Sequence, residues 1–181
     1  PLRGILWFGV DDANTCVYLP VFSSTPKPPY ELSHGNGDML TLSWDANCWV
    51  NNYVANQAYN RYSQMIPDIR RVQSGLENGI DEAIGKAKAD IASMSYADAQ
   101  NYLADVTNSW ASKATKDYKN LGDMLLVKYL DGNIKAQNED GSFSRDENGI
   151  AKGLKFGGYN ERYFRSIVNE QGDRLRVVEI K

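Results

Sequence analysis

Only two cysteines, Cys16 and Cys48, and one histidine, His34, occur among 181 residues. Two thiols cannot build a disulfide framework. A zinc site of Cys and His ligands would need all three residues, and they are scattered without ligand spacing, so no metal or other cofactor is expected. Long apolar runs are also missing. None approaches the about 18 residues of a membrane-spanning helix, so no membrane partner is expected. Charge of one sign is not in excess, with 20 Lys+Arg against 23 Asp+Glu. Residues 1–66 carry 3 basic and 5 acidic side chains, residues 67–131 carry 8 and 10, and residues 132–181 carry 9 and 8. That even spread offers no phosphate-binding stripe, which argues against a nucleic-acid partner. No glycine-rich phosphate loop, nucleophile elbow or zinc-protease helix motif is present. The start shows no basic stretch leading into an apolar one. The compartment is therefore open, and any sorting signal would lie ahead of Pro1.

What is present is ordinary globular composition, 42% hydrophobic and 24% charged. The length is that of one domain, able to bury roughly 70% of its unfolded surface. Gly4–Val10 and Thr15–Phe22 are apolar, β-rich runs joined by Asp11-Asp12-Ala13-Asn14. Such a pattern predicts an antiparallel pair buried on both faces. Pro20 should put the second strand at an edge or bend it. Ser23–Asp38, with three prolines and two glycines, is expected to be a loop. Apolar residues then recur at helical spacing in three segments. Ala46–Met65 forms the first, capped by Ser43 or Asp45 and ended or kinked at Pro67. Ile69–Ile91 forms the second, with Gly75, Gly79 and Gly85 making it dependent on packing or interrupted near Gly79. A Ser95-x-x-Asp98 capping box opens the third, and Asp131-Gly132 ends it. In the tail, Tyr163–Val168 and Arg174–Ile180 flank Asn169–Gly172 and predict a hairpin. The expected fold class is α+β, in one domain or fragment over 1–181: strands and loop over 1–42, helices over 43–131, turns and hairpin over 132–181.

The tail is rich in Asp, Asn and Gly, but it fails the calcium-loop pattern. From Asn138, Phe143 stands where glycine is needed and Gly149 where Glu is needed. Cys16 and Cys48 read as small packed hydrophobes with inert thiols, and a Cys–His dyad with His34 is the sharper alternative. The first helix holds an anomaly, because Asn47, Asn51, Asn52, Asn56 and Asn60 all fall within it and Asn is a poor helix former. Asn52, Asn56 and Asn60, spaced four apart, stack three amides on one face. Either this is a plain polar stripe, or it is a row of amides facing a substrate or a neighbouring domain. The substrate-binding candidates are therefore Asn52, Asn56 and Asn60.

Four stretches, G-I-L-W-F-G (Gly4–Gly9), V-Y-L-P-V-F (Val17–Phe22), S-W-D-A-N-C-W-V-N-N-Y-V-A-N (Ser43–Asn56) and A-Y-N-R-Y (Ala58–Tyr62), occur in this order. Together they resemble the C-terminal part of the dipeptidase A family, cysteine dipeptidases of the N-terminal-nucleophile hydrolase class. The likeness runs through Gln73–Glu77. It implies a larger αββα fold, hydrolysis of short peptides and no metal. It also implies a nucleophilic cysteine at the mature N-terminus, whose α-amino group can serve as base. This sequence has Pro1 there, so no catalytic residue is carried over. The chain is expected to be a fragment of such an enzyme, inactive alone, its partner being the missing N-terminal part of the same protein. The alternative is a non-catalytic helical domain that binds a protein or peptide through the Asn face and the Pro26–Tyr30 loop.

Overall fold

A computed structural model describes residues 4–156 and 158–178. The chain divides into two units, residues 1–126 and residues 127–181.

The first unit opens with β1 (Ile5–Phe8) and β2 (Leu19–Phe22), an antiparallel pair in the register Ile5↔Phe22 to Phe8↔Leu19. The strands are shorter than their apolar runs. Between them Thr15 and Cys16 turn back to donate to the Asp12 carbonyl (3.1 and 2.9 Å), so this stretch leaves the ladder and enters the helical core. Only one strand is buried as expected. β2 lies inside, whereas Leu6, Trp7 and Phe8 of β1 are 61%, 45% and 37% exposed.

The three helices form at the predicted places. They are α1 (Asn47–Asn60), α2 (Tyr62–Asp90) and α3 (Tyr96–Tyr129), whose last residues belong to the second unit. The first boundary differs from expectation. The break falls at Arg61 (φ −149°, ψ 49°), and Pro67 lies within α2. Neither Ser43 nor Asp45 caps α1; Ala46 stands at that position with no side-chain bond, because Ser43 Oγ donates to Asn36 Oδ1 (2.7 Å). The α3 start is as predicted, with Asp98 N donating to Ser95 Oγ (3.2 Å). Its end is too, with Asp131 at φ 61° and Gly132 at φ 72°.

Helix α2 is not interrupted at Gly79. A Cβ there would lie 2.6 Å from Cη2 of Trp110, so glycine lets the indole of α3 cross the α2 backbone. Gly122 does the same for the Tyr53 ring, and its carbonyl accepts from Gln57 Nε2 (2.9 Å). The core between the helices holds Val50, Val54, Ile69, Ile80, Leu103, Tyr118 and Leu125, with Val17 and Leu19 beneath them. Two helix side chains reach into the β1–β2 connection. Tyr118 Oη donates to the Thr15 carbonyl (2.8 Å) and Gln73 Nε2 to the Cys16 carbonyl (2.6 Å).

The second unit holds a short antiparallel pair, β3 (Asn133–Ile134) with β4 (Lys155–Phe156), joined by tight turns with Gly141 at φ 84° and Gly149 at φ 79°. The carboxylates of Asp140 and Asp146 accept from backbone N–H groups of their own turns. A β pair is thus present in the tail, but in other residues than predicted. Tyr163–Val168 is helical, within α4 (Glu161–Gln171). Asn160 caps it by accepting from Tyr163 N (2.9 Å), and a Glu161–Arg165 ion pair (2.6 Å) spans its first turn. The apolar residues Tyr163, Phe164, Ile167 and Val168 carry a helical period that outweighs the local turn signal. Arg174 lies in a 3₁₀ turn, and Ile180 lies outside the described residues.

Tyr118→Phe removes a buried donor and strands the Thr15 carbonyl. A loss of about 1–3 kcal/mol is expected, read as a lower urea midpoint at unchanged slope.

Candidate functional site

Asp11 follows β1 in the left-handed region (φ 70°), which Asp tolerates better than most residues. This turns its carboxylate onto α1, where Asn52 Nδ2 donates to Asp11 Oδ1 (2.9 Å). The four-residue spacing then builds a ladder along the helix. Asn56 Nδ2 donates to Asn52 Oδ1 (2.7 Å) and to the Asn52 carbonyl (2.9 Å). Asn60 Nδ2 donates to the Asn56 carbonyl (3.0 Å). The amides do stack, but they bond to each other and to the backbone, with only Asn52 reaching across to the strand turn. Beside them Tyr59 Oη donates to Asp12 Oδ2 (3.2 Å), while Asn14 joins Tyr62 and Arg70. Burial and the neighbouring Asp12 and Asp11 carboxylates push the Tyr59 phenol above its ordinary range.

An open cleft of about 460 Å³ lies at the head of this ladder, lined by Asp11, Asp38, Met39, Cys48, Trp49 and Asn52. Its second carboxylate comes from the loop. Asp38 Oδ1 accepts from Leu40 N (2.8 Å), and this bond with one from Thr41 holds the Asp38 carboxyl below its usual range. Trp49 Nε1 donates to the Asp38 carbonyl (3.1 Å), which ties the loop to α1. Asn36 organises the same loop from within. Its Nδ2 donates to the Tyr30 and Asp45 carbonyls (3.1 and 2.9 Å).

The sequence candidates fare differently. Asn52 lines the cleft, while Asn56 and Asn60 stand behind it as successive supports. Cys16 is a buried core residue, as read from its strand context, and burial followed by the Asp12 carboxylate pushes its thiol up. Cys48 is not packed away. The buried face of α1 runs through Asn47, Val50, Asn51, Val54, Ala55 and Ala58, which turns Cys48 outward into the cleft. The proline-rich loop borders a separate groove, with Pro26, Pro28 and Tyr30 facing Ala104, Asn108 and Ser112 of α3. Asp11, Asp38, Met39 and Trp49 are not among the site candidates read from sequence, in which Asp11 reads as turn chemistry and Trp49 as part of a helical face and a family motif. The paired aspartates after β1 carried a signal, since a turn needs only one of them, but Asp38 and Met39 reach the site only through the Asn36-held loop. Among the described residues, no group of three or more His, Cys, Asp and Glu could hold a metal, and no helix is long and apolar enough to cross a membrane.

The cleft and the amide ladder fall within residues 1–75, which match the sequence profile of peptidase family C69. The N-terminal stretch is similar to C69 peptidases. The C69 match takes in both strands of the first sheet, the Asn36 loop, the whole of α1 and the first part of α2. It ends before α3, so the helix that supplies Tyr118 and Trp110 lies outside it. No curated protein and no solved structure matches the chain.

A maleimide is expected to label Cys48 alone in the folded protein and Cys16 only after unfolding, read by mass spectrometry of the intact chain. The raised Cys16 thiol stays neutral when folded. Its contribution to stability is therefore full below the ordinary thiol pKa of about 8.5 and fades as pH rises beyond it. Cys16→Ala should flatten that alkaline loss in urea titrations, and an unchanged slope with pH would refute the assignment.

Proposed function

We propose that this chain is the C-terminal portion of a cysteine dipeptidase of family C69, acting on short peptides, with its nucleophile supplied by polypeptide that precedes it. The observation that carries the reading is the C69 match over residues 1–75. Two features of the structure support the division of labour. Cys16 is enclosed with a raised thiol pKa, which suits packing and not attack on a peptide. β1 pairs with β2 on one side, and Leu6, Trp7 and Phe8 remain exposed, so a further strand or layer of an αββα sandwich would find both an edge and apolar surface there. In this reading the N-terminal part of the protein is the partner that covers β1.

The resemblance supplies the chemistry. The thiol of an N-terminal cysteine adds to the peptide carbonyl, its proton passing through the α-amino group to the departing amine. The thioester left on sulfur is then hydrolysed by water, which returns the thiol and releases the acid. In this reading Asn52, which lines the cleft, faces the substrate, and Asn56 and Asn60 hold it in position through the ladder.

The chain alone should release no amino acids from dipeptides, while the complete reading frame should do so, and its Cys48→Ala variant should still lose the activity to iodoacetamide. Turnover by the isolated chain would sink the missing-nucleophile argument. A complete frame without hydrolysis would instead favour a partner-binding role for the Pro26–Tyr30 groove.

A further inference from the structure

We propose that the cleft at the head of the amide ladder binds the free α-ammonium group of a short peptide, with Asp11 as the residue that selects for it and Trp49 and Met39 as the wall against which the first side chain rests. The proposal rests on the dipeptidase reading and adds which end of the substrate lies here. Three properties of the cleft point the same way. Its wall combines an aromatic and a thioether surface with one amide and two carboxylates, and none of its six lining residues is basic. Both carboxylates are oriented before any ligand arrives, Asp11 by Asn52 and Asp38 by Leu40 N. Asp11 spends only Oδ1 on Asn52, and among the described residues its Oδ2 has no hydrogen-bond partner. An acceptor oxygen beside an apolar wall suits a compact cation attached to a hydrocarbon, which is the first residue of a peptide.

The ladder explains why the selection falls to Asp11. Asn52 can donate to Asp11 in a fixed direction because its own oxygen is held by Asn56, so the carboxylate is positioned by a chain of amides that does not titrate. A carboxylate at a left-handed backbone position would otherwise be free to swing into solvent. Fixing it lowers the ordering cost of binding the ammonium.

Asp11→Asn isolates the charge, because Asn is at home at positive φ and its side-chain oxygen can still accept from Asn52. The probes are L-alanyl-L-phenylalanine and its N-acetyl derivative, titrated into the full chain by calorimetry, with the Trp49 indole N–H resonance locating the site. The free dipeptide is expected to bind and shift that resonance. N-acetylation and Asp11→Asn should each weaken binding about tenfold. Equal affinity for the two peptides, an unaffected Asp11→Asn variant or no binding of the free dipeptide overturns the assignment. The same pair of peptides assayed on the complete reading frame separates the two ideas. Hydrolysis that ignores acetylation removes the ammonium site and leaves the dipeptidase reading standing. A frame with no hydrolysis removes that reading, and the titration still decides whether the cleft takes an ammonium.

Discussion

Two consecutive carbonyls govern the first unit. Once Thr15 and Cys16 leave the strand ladder, their C=O groups are buried among helices, where an unpaired acceptor costs about 1–3 kcal/mol. Tyr118 of α3 satisfies one and Gln73 of α2 the other, while Arg70 donates to Gln73 Oε1 (2.7 Å) and holds its amide in the donating orientation. Because the donors come from different helices, the turn can be satisfied only when both are packed. The apolar core would tolerate small sliding of one helix past another; these bonds do not. The position of Asp11 and Asp12, a few residues before the captured carbonyls, follows from this constraint.

A polar ladder on a helix is usually a weak structural feature, since Asn competes with the backbone for hydrogen bonds. Here that competition is used. Asn56 and Asn60 each donate to a carbonyl one turn earlier and Asn52 to Asp11, so the helix keeps its geometry while its surface amides are immobilised. A parallel arrangement lies on the buried side, where Asn51 donates to Asn47 and Asn47 to Thr115 Oγ1 of α3 (3.0 Å). One helix thus carries two Asn rows. The inner fixes α1 against α3 and the outer aims a carboxylate at the cleft, so the helix that anchors the fold also shapes the site.

The two cysteines illustrate how far local sequence reaches. Both sit among apolar neighbours, and both read as packed thiols. Cys16 is packed because the strand turn enters the core. Cys48 is not, because a helix sorts its neighbours by 100° steps and the residues beside it in sequence lie on other faces. Burial on a helix is a property of its face, and α1 buries asparagines on the face where an apolar pattern would mark the core. The tail shows the opposite conflict. Asn169–Gly172 carries a turn signal, but four apolar residues at helical period and an Asn160 cap carry the helix through Gln171, and only Gly172 leaves it.

Sequence alone determined the strand pair, three long helices, their stripes of apolar residues, the Ser95 cap and the Asp131-Gly132 stop. Apart from the strand pairing itself, these rest on interactions within a few residues, where side-chain type and spacing decide the outcome. It also carried the likeness to dipeptidases, written into the order of short motifs. What tertiary structure decided is everything that depends on distant partners: the exposure of β1, the break at Arg61, the outward turn of Cys48, and the meeting of Asp11, Asp38 and Trp49 in one cleft. The cleft residues are brought together by hydrogen bonds between separate segments, Asn52 to Asp11 and Trp49 to the Asp38 carbonyl. No local preference encodes such a bond, because each partner is an ordinary side chain until the fold places the other within reach.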